Sequence, residues 1–235
     1  MKIAFAASAL VAVAGAASAA PLAYWSFPAT AQTPNYGMSW PINADFKWSA
    51  GAATIDTDAP KYDGSPAPTA LQQGSMQYFA GSAVNSQFGA VAGQSLSMRN
   101  DTQDRAQGKS IIIRFDGSLH FNYKLSYAER YTSTGPAGVG ISYSGDGVNY
   151  TAFTSYTTVR DGAFAASART IDLSSASSIW GLSAVYLKIT FNNFNVGGNG
   201  TARIDNVLVE GTAIPAPAGA ALLGFVGLAA ARRRR

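Results

Sequence analysis

The stretch Leu119-His120-Phe121-Asn122-Tyr123-Lys124-Leu125-Ser126-Tyr127 alternates apolar and polar side chains over nine residues. Successive side chains of a β-strand point to opposite faces, so the run predicts a strand with one face in a core. His120 falls on the polar half and is expected to face solvent or the opposite sheet face. No stretch of the body shows helical periodicity over three turns.

Working outward, residues 111–115 form another expected strand, entered from Gly108. Residues 139–143 and 150–154 flank Ser144-Gly145-Asp146-Gly147, a hairpin signal in which Gly147 can take positive φ. Residues 170–173, 185–191 and 202–210 complete the stronger set, and 24–27, 53–56, 76–79 and 96–99 are weaker strands. About ten short strands separated by Gly, Asn, Asp and Ser predict an all-β fold. The expected architecture is a two-sheet antiparallel jelly-roll sandwich. No repeat or long linker divides the body, so residues 20–212 read as one domain.

Composition narrows the function. Charged residues are 13% of the 235, about half the roughly 25% of ordinary soluble domains. Cysteine is absent and His120 is the single histidine, which removes disulfides, thiolate metal sites and histidine-pair chemistry. The net charge of +4 is misleading, because five of the 17 cations are Lys2, Arg232, Arg233, Arg234 and Arg235. The residues between carry twelve scattered cations against 13 acids, with no basic face for nucleic acid.

Both ends read as addresses. Residues 1–19 begin with Lys2, continue through an apolar stretch and finish in Ala17-Ser18-Ala19, the small-residue pattern that signal peptidase cuts. Residues 213–235 contain Pro215-Ala216-Pro217, an uncharged Ala/Gly/Leu run and then the four arginines. The uncharged residues 214–231 would form a helix of about 27 Å, close to the roughly 30 Å of a hydrocarbon layer. Arginines flanking such a helix remain on the cytoplasmic side, which leaves the body outside the inner membrane.

This end resembles the PEP-CTERM sorting signals of bacterial exosortase substrates: a Pro motif, a single hydrophobic helix and an arginine cluster. Ala216 stands where that family's name-giving motif has glutamate. The resemblance implies transient inner-membrane insertion and removal of the tail near Pro217 by an exosortase-like enzyme. The alternative is a plain single-span anchor. Within the body, Tyr143-Ser144-Gly145-Asp146-Gly147-Val148-Asn149-Tyr150 and Ala202-Arg203-Ile204-Asp205-Asn206-Val207-Leu208-Val209 resemble the hairpin and last strand of galactose-binding-like extracellular jelly rolls. Many such modules bind carbohydrate.

Several residues qualify as sites. Trp25, Trp40, Trp48 and Trp180 are flat rings suited to stacking on pyranose faces, with Tyr131 a further one; Trp40-Pro41 and Trp48 fall in a Pro- and Asn-containing, loop-like stretch, which makes them better candidates than Trp25 in an expected strand. Asp205, inside an apolar run, has two readings. It is a structural Ca²⁺ ligand with Asp45, as in some similar modules, or it satisfies backbone groups of a loop. Asp56, Asp58 and Asp63 read as a solvated turn rather than a cation loop.

Catalysis finds no support. There is no G-x-S-x-G, H-E-x-x-H or G-x-x-x-x-G-K, and nothing local equips His120 for a triad. The sequence therefore predicts an exported, non-catalytic surface or matrix protein associating with envelope or extracellular polysaccharide. The rival roles are a structural protein contacting other proteins and a glycan-active enzyme.

Overall fold

A computed structural model describes residues 18–27, 40–60 and 76–215. In chain order the strands are β1 (Ala19–Trp25), β2 (Ile42–Asn43), β3 (Phe46–Lys47), β4 (Thr54–Thr57), β5 (Met76–Ala80), β6 (Gln94–Arg99) and β7 (Ser110–Phe115). They continue with β8 (His120–Tyr131), β9 (Gly138–Ser144), β10 (Thr151–Thr157), β11 (Arg169–Asp172), β12 (Val185–Asn192) and β13 (Thr201–Ala213). One 3₁₀ turn, Ser177–Ile179, precedes β12. Among the described residues no helix is long and apolar enough to cross a membrane. Residues 1–17 of the expected 1–19 leader and residues 216–235 of the expected 213–235 sorting signal lie outside the described residues, Ala17, Ala216, Pro217 and the four arginines among them.

Two antiparallel sheets make a sandwich, as the short alternating runs predict. The first holds β11-β8-β13-β1-β3, with β6 also paired to β13 and β5 to β6; the second runs β10-β9-β12-β7-β4-β2. Strands β7, β8 and β9, and then β10, β11, β12 and β13, carry the chain back and forth between the sheets, an alternation of the jelly-roll kind. Between the sheets Leu125, Tyr127, Ile204 and Val209 of the first meet Ile113, Ile141, Leu187 and Phe191 of the second in one buried cluster. Removing that apolar surface from water, at roughly 25 cal/mol per Å², drives the two sheets together.

The deciding strand holds, with its phase shifted at the start. Tyr123, Leu125 and Tyr127 are fully buried, but Leu119 lies in a turn and Phe121 is only half-buried. The register between β8 and β13 slips so that one more residue is used on β8 between Phe121 and Lys124, and Asn122 there has φ 50°. A bulge of one residue reverses the facing of everything before it. His120 is therefore not outward-facing: it is 4% exposed. Its Nδ1 lies 2.7 Å from the carbonyl of Ser118 and donates to it, since a carbonyl can only accept.

A second bulge falls on β13, where Asn206 has φ 48° and the register slips between Asp205 and Leu208. The stretch with Trp40 and Trp48, expected as loop, carries the two-residue strands β2 and β3, too short to show a period. Strand β1 begins at Ala19, opposite Thr212. Cleavage of a leader after Ala19 would leave β1 intact from Ala20, opposite Gly211.

Candidate functional site

The outer face of the six-stranded sheet carries a trough over β10, β9 and β12, the three strands at one of its edges. Pairing sets Lys188 of β12 beside Ser142, Thr190 beside Gly140 and Asn192 beside Gly138, all on one face. The partners Val139, Ile141, Leu187, Ile189 and Phe191 are buried on the other face. On the far side β10 places Ala152 beside Ser142 and Ser155 beside Gly140. Glycine at positions 138 and 140 leaves the strand floor bare. A Cβ at Gly140 would meet Asn192 Nδ2 at 3.7 Å, an ordinary contact, so packing does not demand the glycine.

The resulting open groove measures about 460 Å³ and is lined by Gly140, Ser142, Phe153, Ser155, Thr190 and Asn192 among others. Its lining offers hydroxyls, an amide and one ring, and carries no formal charge. Thr190 Oγ1 is 2.9 Å from Ser110 Oγ, which fixes it at the groove's inner wall. The nearby cations are engaged elsewhere. Lys188 Nζ lies 4.2 Å from the centre of the Tyr150 ring and 3.9 Å from Asp58, and the Arg114 guanidinium is 5.9 Å from the centre of Tyr186.

The tryptophans fall into two groups. Trp25 is core, its Nε1 donating to the Ile42 carbonyl at 3.3 Å, and Trp40 is half-buried against the same core. Trp48 is 62% exposed and Trp180 37% exposed. Both stand beside the start of β8: Trp48 is edge-on to His120 at 6.1 Å and Trp180 edge-on to Phe121 at 5.6 Å. An exposed ring missed in the sequence is Phe88, in the loop after β5, stacked on Phe46 at 4.5 Å.

Tyr131 is no platform. It is 1% exposed, and its hydroxyl donates to Glu129 Oε2 at 2.9 Å. Tyr156 donates to the same oxygen at 2.7 Å, and Arg169 Nη2 reaches Glu129 Oε1 at 2.6 Å. The network closes one end of the sandwich, and burial holds the Tyr131 phenol well above its usual range, a neutral donor. Its position at the end of β8, two residues beyond Glu129 on the same face, explains this role.

Asp205 and Asn206 act together as a clamp. Asp205 accepts from the backbone N–H of Ser82 at 2.6 Å and of Asn206 at 2.8 Å. Asn206 Nδ2 donates to the carbonyls of Ser82 and Val84 at 2.7 and 2.8 Å, and its Oδ1 accepts from Tyr24 at 2.8 Å. A side chain at Gly81 would collide with Asp205 Oδ2. The bulge thus pins the loop after β5 across the first sheet, which is the loop-satisfying reading of this carboxylate. Burial raises the Asp205 pKa to about 7. Asp45 serves another loop, accepting from Ser26 N at 2.6 Å and Ser26 Oγ at 2.8 Å. Among the described residues no three His, Cys, Asp or Glu side chains gather as a metal site.

The other turn acids are likewise engaged. Asp56 accepts from Thr57 N, and Asp58 Oδ1 accepts from Ser110 N at 2.5 Å; Asp63 lies outside the described residues. Asp146 accepts from Val148 N, Asn149 N and Asn149 Nδ2, which holds its pKa well below the usual carboxylate range and closes the hairpin at Gly147, φ 76°.

No family model matches the chain, and no curated protein matches it. Among solved structures the chain is similar to TmCBM61 in complex with β-1,4-galactotriose, at 9% identity over 66% of this chain and 86% of that one, TM-score 0.38. It is also similar to the K2 cleaved adhesin domain of Lys-gingipain, at 14% identity over 67% and 89%, TM-score 0.41. The K1 cleaved adhesin domain of Lys-gingipain from Porphyromonas gingivalis W83 is similar at 11% identity over 66% and 89%, TM-score 0.39. Likenesses at this level assign no ligand to this chain.

Proposed function

We propose that this chain is an exported, non-catalytic surface protein that holds neutral polysaccharide in the trough over β9. The observation that carries the reading is the lining of the groove. Hydroxyls of Ser142, Ser155 and Thr190 and the amide of Asn192 stand around a floor left bare at Gly140. Neutral sugars present hydroxyls that need such donors and acceptors, and a bare floor lets a chain of rings approach the sheet. The groove is open, which suits a polymer entering and leaving at its ends. The lining carries no formal charge, which suits a neutral sugar.

Export is supported by the two terminal segments of the sequence. The leader ends where β1 begins, and the uncharged run with its arginines follows the last strand. In this reading signal peptidase removes residues 1–19, and an exosortase-like enzyme acts near Pro217 after transient insertion of the C-terminal helix. Mass spectrometry of mature surface material should find an N-terminus near Ala20 and a C-terminus upstream of Leu222. Intact Arg235 in that material would contradict the sorting step.

Affinity electrophoresis in gels containing soluble polysaccharides tests the binding role. Retardation by a neutral glycan, weakened by Asn192→Ala and kept in Trp48→Ala, supports the trough. Retardation lost only in Trp48→Ala moves the ligand to the aromatic end. Shortened glycan products would make the protein an enzyme, and no retardation by any glycan would leave protein-contacting structure as its role.

A further inference from the structure

The exposed apolar residues at the start of β8 form a patch that the fold does not use. Leu119 occupies the third position of the turn from Gly117 to His120, closed by His120 N donating to the Gly117 carbonyl at 3.0 Å. It has φ 61° and is 73% exposed. Glycine or asparagine ordinarily fills a left-handed turn position, so a leucine there is both strained and wet. Trp48 and Trp180 flank it through His120 and Phe121. Ile214, 44% exposed, completes the patch: its N–H donates to the Leu119 carbonyl at 2.7 Å.

The chain leaves the sandwich in the middle of this patch. After Ile214 come Pro215 and the uncharged residues up to 231, then the four arginines. If that run spans a bilayer, its length of about 27 Å leaves no spacer between the sandwich and the membrane. Ile214 is then at the headgroup level, and Trp48, Leu119 and Trp180 with it. Tryptophan is enriched at that depth, where an apolar ring with one polar N–H is at home. Lys124 on β8 is paired with Glu210 at 2.6 Å, and Lys47, exposed beside Trp48, donates to the Gly51 carbonyl at 3.3 Å.

We infer that the end of the sandwich bearing Trp48, Leu119, Trp180 and Ile214 seats on the lipid surface from which the C-terminal segment rises. The seat exists while the tail is in the membrane, before any release by a sorting enzyme. It fixes the orientation of the body relative to the membrane. The inference rests on the proposed membrane insertion of the tail, so its test reads the two separately.

The full chain is reconstituted in phosphatidylcholine vesicles containing lipid brominated near the headgroup end of the acyl chains. A Leu222→Trp variant reports tail insertion by its quenching. The fluorescence removed by Trp48→Phe and by Trp180→Phe reports the patch, with buried Trp25 as an internal reference. The inference requires the Trp48 and Trp180 components to be quenched at least about twofold more than Trp25. It also requires Leu119→Asn, which suits a left-handed turn and removes the apolar side chain, to lower that quenching. Quenching at Leu222→Trp without quenching at Trp48 and Trp180 overturns the seat and leaves the tail reading standing. No quenching at Leu222→Trp overturns both. A dimer that forms as concentration rises and is lost in Leu119→Asn, with Trp48 and Trp180 unquenched, assigns the patch to a second copy and also overturns the seat.

Discussion

The trough over β9 and the end around Leu119 handle solvent in opposite ways. In the trough small side chains and glycines face outward, and the apolar partners beneath are buried. Nothing there is costly to leave in water. At the aromatic end two tryptophans, an isoleucine and a leucine in a left-handed turn stand exposed. A protein gains nothing in stability by strain and exposure together, so that end is finished only when something apolar covers it. The comparison separates the surface proposed to exchange a polar ligand from the one inferred to rest on a nonpolar phase.

Both regions hang on one frame, and breaking the frame should break them together. Asn206→Ala removes three hydrogen bonds from the buried clamp and puts alanine at φ 48°. It should lower stability by about 2–4 kcal/mol, read as an earlier denaturation midpoint in urea with a single transition. Two separate transitions would show that the regions are not one cooperative unit.

The pH dependence of the frame follows from Asp205. Its folded pKa of about 7 lies above the ordinary carboxylate value of 3.8, so the folded state binds the extra proton between those limits. Stability is then greatest below that window and falls as pH rises through it, by at most about 4 kcal/mol. Asp205→Asn should flatten the slope between pH 4 and 7. A wild-type slope of the opposite sign would show that the Ser82 and Asn206 N–H groups outweigh burial.

The contrast between the regions sharpens with Leu119→Asn. Relief of the left-handed strain should raise stability by about 1 kcal/mol while weakening attachment to lipid. A loss of stability would mean that the leucine packs rather than waits for a partner. The smallest effect expected is that of chelation. Asp45 and Asp205 are taken up by backbone donors, so EDTA should leave the melting midpoint unchanged. A lowered midpoint would support the Ca²⁺ reading of these residues.

Much of the frame was legible in the sequence. The alternation of residues 119–127 correctly marks Tyr123, Leu125 and Tyr127 as core, and the runs at 111–115 and 185–191 mark strands that pair with each other. The bulges were not legible. Asn122 and Asn206 read as polar strand residues, and only the slipped register shows that they turn the chain left-handed, which buried His120 against expectation. Trp40 and Trp48 share one loop-like stretch, but only Trp48 stands exposed; Trp40 packs half-buried against the core. Tyr131 reads at the end of the long strand beside a Ser/Thr/Gly loop, but its ring turns into the sandwich, where Glu129 takes its hydroxyl. The trough could not be read at all. Gly140 falls inside the expected strand over 139–143 and Gly138 just before it, but only the pairing sets them beside Thr190 and Asn192.

The central claim is tested most directly by filling the trough. At Gly140 a Cβ has room, so Gly140→Trp should leave the melting midpoint in place while its ring occupies the groove. Titration of the neutral glycan that retards the wild-type chain should then show at least tenfold weaker binding, about 1.4 kcal/mol or more. Unaltered affinity in Gly140→Trp, with the fold intact, would mean that the sugar is bound elsewhere.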